Sequence, residues 1–121
     1  MKKKILIVDD DPRNIFALKL TLKSEGFDVI SASLAQEAID ILKTDQSIAV
    51  VLMDMMMPEM DGYEALDIIS KNAEMSAVPI IAVTAQAMPG EREKCLEAGA
   101  KDYITKPINV ELLIKAIQNI S

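Results

Sequence analysis

The stretch Ile48-Ala49-Val50-Val51-Leu52-Met53 is uniformly apolar and is closed at once by the carboxylate of Asp54. A run this short with no polar alternation has no face to give to water. It suits a strand buried on both sides, in a parallel sheet covered by helices. Two more runs of the same kind stand on either side of it in sequence, Ile5-Leu6-Ile7-Val8 and Ile80-Ile81-Ala82-Val83. Phe27-Asp28-Val29-Ile30-Ser31-Ala32 is more mixed and Asp102-Tyr103-Ile104-Thr105 is shorter, so these two read as edge strands.

Between the strands the apolar spacing turns helical. Ile15, Leu18 and Leu22 share one face, as do Leu113, Ile117 and Ile120. Asp11 before Pro12 reads as an N-cap followed by proline at the first helical position. Ser33-x-x-Gln36 and Asp61-x-x-Glu64 fit the capping-box pattern. Gly26 and Gly99 stand where a left-handed C-terminal cap is wanted, and Asn109 is placed to cap the last helix. Pro89-Gly90 is unusual helix chemistry, so the fourth helix is expected to start near Met88 and to be weak there. Five strands alternating with five helices imply right-handed crossovers and an open, doubly wound α/β sheet. Three apolar central strands and two weaker edges suit the flavodoxin-like order 2-1-3-4-5, with the site beyond the carboxyl ends of the strands.

The composition narrows the chemistry. The 121 residues fit one domain, 1–121, with a real core. A single cysteine, Cys95, makes no internal disulfide and reads as a small buried hydrophobe. The absence of histidine excludes Ser-His-Asp and Cys-His catalysis and Cys/His zinc sites. The net charge of −6 disfavours nucleic-acid binding through phosphate contacts. No apolar run approaches a membrane span, and the start Met1-Lys2-Lys3-Lys4 leads into too short an apolar stretch for a signal peptide, so a cytoplasmic protein is expected. Five of the eight methionines (Met53, Met55, Met56, Met57, Met60) are read mainly as packing around the third strand and its loop.

The strand ends carry the polar chemistry. The first ends in Asp9-Asp10-Asp11, the third in Met53-Asp54, the fourth in Val83-Thr84-Ala85 and the fifth in Thr105-Lys106-Pro107. Two carboxylates about 4 Å apart repel by roughly 4 kcal/mol at an effective dielectric of 20. Three of them do not all stay ionised without compensation. A hard divalent cation such as Mg²⁺ supplies it, since it takes one or two carboxylates, a carbonyl and waters. Three aspartates, one lysine and one such cation sum to zero formal charge, so the site can approach a phosphoryl group without net repulsion. A central aspartate among them could attack phosphorus, with metal, lysine, hydroxyl and backbone N–H groups on the equatorial oxygens.

With these residues in these places, essentially the whole chain, from Lys3 to Ile120, resembles a response-regulator receiver domain of two-component signalling. The match rests on Asp9-Asp10, Asp54-x-x-Met57-Pro58-x-Met60-Asp61-Gly62, Thr84-Ala85, and Tyr103 with Lys106-Pro107. The segment from Ala82 to Lys106 also looks like the receivers of hybrid histidine kinases. The resemblance implies that Asp54 accepts a phosphoryl group from a phosphohistidine on a sensor kinase or a histidine-phosphotransfer protein. It implies Mg²⁺, with Mn²⁺ as an alternative, on Asp10, Asp54 and the Met56 carbonyl, with Asp9 helping through water. Lys106, Thr84 and the Ala85 N–H would contact the phosphoryl group, Tyr103 would swing inward as Thr84 moves, and the Lys106–Pro107 bond would be cis. Met56 and Gln86 occupy variable places that tune hydrolysis, and an apolar Met56 predicts slow to moderate self-dephosphorylation.

The expected function is therefore a phosphorylation switch rather than an enzyme acting on a separate substrate. Phosphorylation takes the site from zero to minus one in formal charge and biases the surface of the fourth helix, fifth strand and fifth helix. With no effector expected after the fifth helix, output would pass to a downstream protein partner, by relay, or through a region outside this stretch of sequence; a phosphorylation-dependent homodimer is also among the expected partners. Two rivals share features. Asp9-x-Asp11 matches the nucleophile and acid of haloacid-dehalogenase-type phosphatases, but Asp11 reads as a cap. A flavodoxin needs a hydroxyl- and glycine-rich phosphate loop where this chain has Asp9-Asp10-Asp11. The third alternative is a receiver fold that works as a phosphate-independent docking module.

Overall fold

The computed structural model describes residues 3–57, 59–85 and 88–120. Met1, Lys2, Pro58 and Gln86, which figure in the sequence reading, lie outside them. The chain alternates strictly: β1 (Lys4–Val8), α1 (Pro12–Ser24), β2 (Asp28–Ala32), α2 (Ala35–Thr44), β3 (Ile48–Asp54), α3 (Gly62–Lys71), β4 (Ile80–Thr84), α4 (Glu91–Ala98), β5 (Asp102–Thr105) and α5 (Val110–Ile120). All strand pairs are parallel and the order is β2-β1-β3-β4-β5, as the run lengths predict. The mixed segments are the edges.

The continuous apolar runs follow from two cores. Ile5, Ile7, Val50, Leu52, Ile81 and Val83 face one way, against Leu18 and Leu22 of α1 and Leu113 and Ile117 of α5. Leu6, Val8, Val51, Met53, Ile80 and Ala82 face the other way, against α2, α3 and Cys95 of α4. The pleat alternates, but both faces are dry, so the sequence does not alternate. Four of the five clustered methionines belong to the second core or pack on it: Met53, Met55, Met57 and Met60.

Most caps form as read. The Asp11 carboxylate accepts from the Arg13 N–H at 2.9 Å, Asp61 from Glu64 at 3.0 Å and Asn109 from Leu112 at 3.2 Å. Gly26 (φ 93°) and Gly99 (φ 122°) end α1 and α4 in the left-handed half of backbone space. Phe27 donates to Leu22 and Gly26 to Lys23, and Ala100 to Cys95 and Gly99 to Leu96, the paired bonds of a Schellman ending. The Lys106–Pro107 bond is cis.

Two helix starts differ from the sequence reading. α2 begins at Ala35 after Leu34, which offers no side-chain cap. Instead of Gln36 closing a box with Ser33, Glu37 accepts from the Ser33 N–H at 2.8 Å, and Gln36 pairs with Asp40. This frame buries Ala35, Ala38, Ile39 and Leu42. Four apolar burials outweigh one cap of about 1 kcal/mol. α4 starts at Glu91, not near Met88. Met88 to Glu91 form a turn closed by the Glu91 N–H on the Met88 carbonyl at 3.0 Å, with Gly90 at φ 85°, ψ −8°. Proline followed by a left-handed glycine is type II turn chemistry, which a helix cannot continue through. Cys95 is buried as expected, whereas Met88, seven residues earlier, is exposed and lies before α4 begins.

Candidate functional site

Strands β1, β3, β4 and β5 deliver their terminal polar residues to one edge of the sheet. Asp54 is the last residue of β3, opposite Val83 of β4, and Thr84 lies opposite Thr105 of β5. The Met55 N–H reaches the Val83 carbonyl and the Lys106 N–H reaches the Thr84 carbonyl, at 2.9 and 2.8 Å. These ladder bonds extend past the strands and fix the chain direction where the functional side chains leave it.

Asp9 and Asp54 are buried, Asp10 is exposed, and one carboxylate oxygen from each lies within 4.8 Å of the others. The Lys106 ammonium stands between the two buried groups, 3.5 Å from Asp9 Oδ2 and 3.6 Å from Asp54 Oδ2. Backbone donors hold each acid. The Asp11 N–H gives 2.8 Å to Asp9 Oδ1, and the Met56 N–H gives 2.9 Å to Asp54 Oδ1. Burial pushes the Asp54 carboxyl above its ordinary range. The Met56 N–H and Lys106 pull it down, and the charges of Asp9 and Asp10 push it up again. One ammonium against three carboxylates leaves the cluster short of positive charge. The donor set fits a small hard divalent cation: ligand oxygens on one octahedral ion are about 3–4 Å apart, and the exposed Asp10 leaves room for waters.

Asp9, Asp10, Asp54 and Lys106 meet at this edge, Thr84, Ala85 and Met56 lie at or just past the ends of the strands beside them, and Tyr103 stands further back on β5. Thr84 is fully buried at the end of β4, and Ala85 after it is exposed. Tyr103 is half-buried on β5, packed against the core that includes Cys95. Met56 follows Asp54 by two residues and is 51% exposed. Asp11 lies apart from the cluster in role: its carboxylate caps α1 and pairs with Arg13 at 3.5 Å. That removes the acid partner a haloacid-dehalogenase mechanism requires.

Gly62 shows why the loop after Asp54 is built as it is. A Cβ there would stand 2.7 Å from Met55 Cα and 3.0 Å from the Asp54 carbonyl oxygen. Only glycine lets α3 start so close to the site. Sequence reasoning missed two features. Asn14 reaches Asp9 Oδ2 at 3.5 Å from the first turn of α1. Tyr63, Glu91 and Cys95 form a polar cluster between α3 and α4. The i, i+4 spacing of Glu91 and Cys95 was the available signal for the second.

Residues 5–118 match the family model of the response regulator receiver domain. The chain belongs to that family, whose members are phosphorylation-dependent switches of two-component signalling. Hybrid signal transduction histidine kinase I of Dictyostelium discoideum is 39% identical over 95% of this chain, which spans 7% of that protein's length. Protein PilH of Pseudomonas aeruginosa is 36% identical, over 94% of this chain and 93% of its own. Among solved structures, the receiver domain of a Pseudomonas aeruginosa sensor histidine kinase superposes with a TM-score of 0.89 at 34% identity, covering 99% of this chain and 98% of that one. That structure has a magnesium ion coordinated in its active site cleft. Among the described residues no helix is long and apolar enough to cross a membrane.

Proposed function

We propose that Asp54 is the phosphoacceptor of a Mg²⁺-dependent switch that draws its phosphoryl group from a phosphohistidine on a sensor kinase or phosphotransfer protein. The observation that carries this is the Lys106 ammonium 3.5 and 3.6 Å from two buried carboxylates, with a third within 4.8 Å. Asp9, Asp10, Asp54 and the Met56 carbonyl would hold Mg²⁺, with Mn²⁺ as a substitute. When bound, the ion neutralises charge on the transferring oxygens.

The chain's own residues do the rest. An Asp54 carboxylate oxygen forms the new bond to phosphorus as the bond to the partner's imidazole nitrogen breaks, and that nitrogen keeps the electron pair. The Met56 N–H holds the other Asp54 oxygen at 2.9 Å, which orients the attacking one. Lys106 and the Ala85 N–H meet the added oxygens, and Thr84 turns its hydroxyl toward them. The vacated space draws Tyr103 inward, and the surface of α4, β5 and α5 changes for a partner, for relay, or for a second copy of the chain. The apolar, exposed Met56 gives an attacking water no hydrogen bond, so the phosphorylated form should be long-lived. A phosphate lifetime of only seconds would count against that last step.

The test is treatment with a small acyl phosphate, with and without Mg²⁺, followed by mapping of the label. Label on Asp54 that needs Mg²⁺ and disappears in Asp54→Asn supports the proposal. Label on Asp9, or none on any aspartate, removes it.

A further inference from the structure

α4 is attached in an unusual way. Its only buried side chains are Glu91 and Cys95, one charged and one a thiol. Both meet the hydroxyl of Tyr63 on α3, which donates a hydrogen bond to Glu91 Oε1 and lies 3.6 Å from Cys95 Sγ. Lys94 completes the grip, its ammonium 4.4 Å from the centre of the Tyr63 ring. Positions 91, 94 and 95 are i, i+3 and i+4, so one face of α4 surrounds a single tyrosine. Burial first, then the bonds to Glu91 and Cys95, hold the Tyr63 hydroxyl in its protonated, donating form.

The location gives this contact a role. Tyr63 follows Gly62, whose N–H reaches the carbonyl of Met55, the residue after Asp54. Glu91 opens the helix that follows Thr84 and Ala85. The cluster therefore ties together the two loops that flank the phosphoacceptor. Tyr103, the aromatic side chain expected to move, packs on the same core as Cys95 and Tyr63. An α4 anchored by broad apolar burial would be costly to shift, whereas one held through a few directional bonds rearranges when those bonds change.

We infer that Tyr63 is a positioning residue of the switch: its hydroxyl, gripped by Glu91 and Cys95, fixes α4 against α3 and sets how readily the α4–β5 surface rearranges. This rests on the reading of Asp54 as phosphoacceptor for its consequence, though not for the clamp itself. Unphosphorylated Tyr63→Phe should show about tenfold faster amide exchange in residues 91–98, with the β1, β3, α1 and α5 amides unchanged. Glu91→Ala should match it, Glu91→Gln should restore most of the protection through its amide oxygen, and Tyr63→Phe combined with Glu91→Ala should add little further. Labelling of Asp54 by acyl phosphate should be several-fold faster in Tyr63→Phe, because the released surface is already populated.

Exchange in 91–98 within twofold of the parent, or a rise spread evenly over all elements, overturns the clamp. Local release with an unchanged labelling rate overturns its coupling to the switch. Local release in a protein whose Asp54 is never labelled leaves the clamp standing and removes the phosphoacceptor reading instead.

Discussion

The two ends of the sheet use the same chemistry with opposite outcomes. At the amino end, Lys4 Nζ meets Asp45 Oδ2 at 3.0 Å, and the Ser47 N–H and hydroxyl both donate to Asp45 Oδ1. One acid meets one base, and the Asp45 carboxyl is pulled down to about 2, by Ser47 first and Lys4 next. At the carboxyl end, Lys106 faces Asp9 and Asp54 at 3.5 and 3.6 Å, and burial drives the Asp54 carboxyl upward. The first end is satisfied within the chain. The second is left wanting positive charge, which is what the proposed binding of a cation and then of a phosphoryl group requires. The difference lies in stoichiometry and burial rather than in residue type.

Four experiments break or sharpen this contrast. The largest effect is expected at Lys106. Lys106→Gln removes the only ammonium that touches Asp54 among the described residues, and Asp54 labelling should fall about a hundredfold, the scale of losing one charged stabiliser of a transferring group. The same neutralisation at Lys4 should leave labelling unchanged. Next is the cation itself. Mg²⁺ at 100 times its dissociation constant should stabilise the protein by about 2.7 kcal/mol, read as a rise in Tm that Asp10→Asn reduces and Asp45→Asn does not.

Third, without added metal, Asp54→Asn should stabilise the fold by about 1–2 kcal/mol, since it removes a desolvated charge repelled by two neighbours. The folded carboxyl here is raised, so the native state binds the extra proton. The gain should be present at neutral pH and vanish as pH falls below the ordinary carboxylate range. Denaturant unfolding across that range checks it. The smallest effect is at Asp45. Its carboxyl is depressed in the folded state, so its contribution is present above pH 3.8 and lost as pH falls toward about 2. Asp45→Asn should cost under about 1 kcal/mol at neutral pH, and its unfolding curve should converge with that of the parent near pH 2.

Much of this was legible in residue order. Ile48 to Met53 announced a strand buried on both faces, and Asp54 after it announced the site. The caps at Asp11, Asp61 and Asn109 were readable because each depends only on a side chain and the N–H two or three residues on. The start of α2 was misread because Ser33 and Leu34 weigh a local cap against burial of Ala35, and burial is not local. The start of α4 was misread because Pro89 suits both a first helical turn and a type II turn. The left-handed Gly90 decides between them.

What the sequence alone determined is therefore the strand order, the caps that end most helices, and the collection of Asp9, Asp10, Asp54, Thr84 and Lys106 at one edge. Parallel strands must all end on the same side, so polar residues at their carboxyl ends meet. What only the tertiary structure decided is how those groups stand to one another: Lys106 between two buried acids, Asn14 on Asp9, and Tyr63 of α3 in the grip of Glu91, Lys94 and Cys95 of α4. Those contacts join residues far apart in the chain, and their strength depends on burial and distance, which no spacing along a sequence encodes.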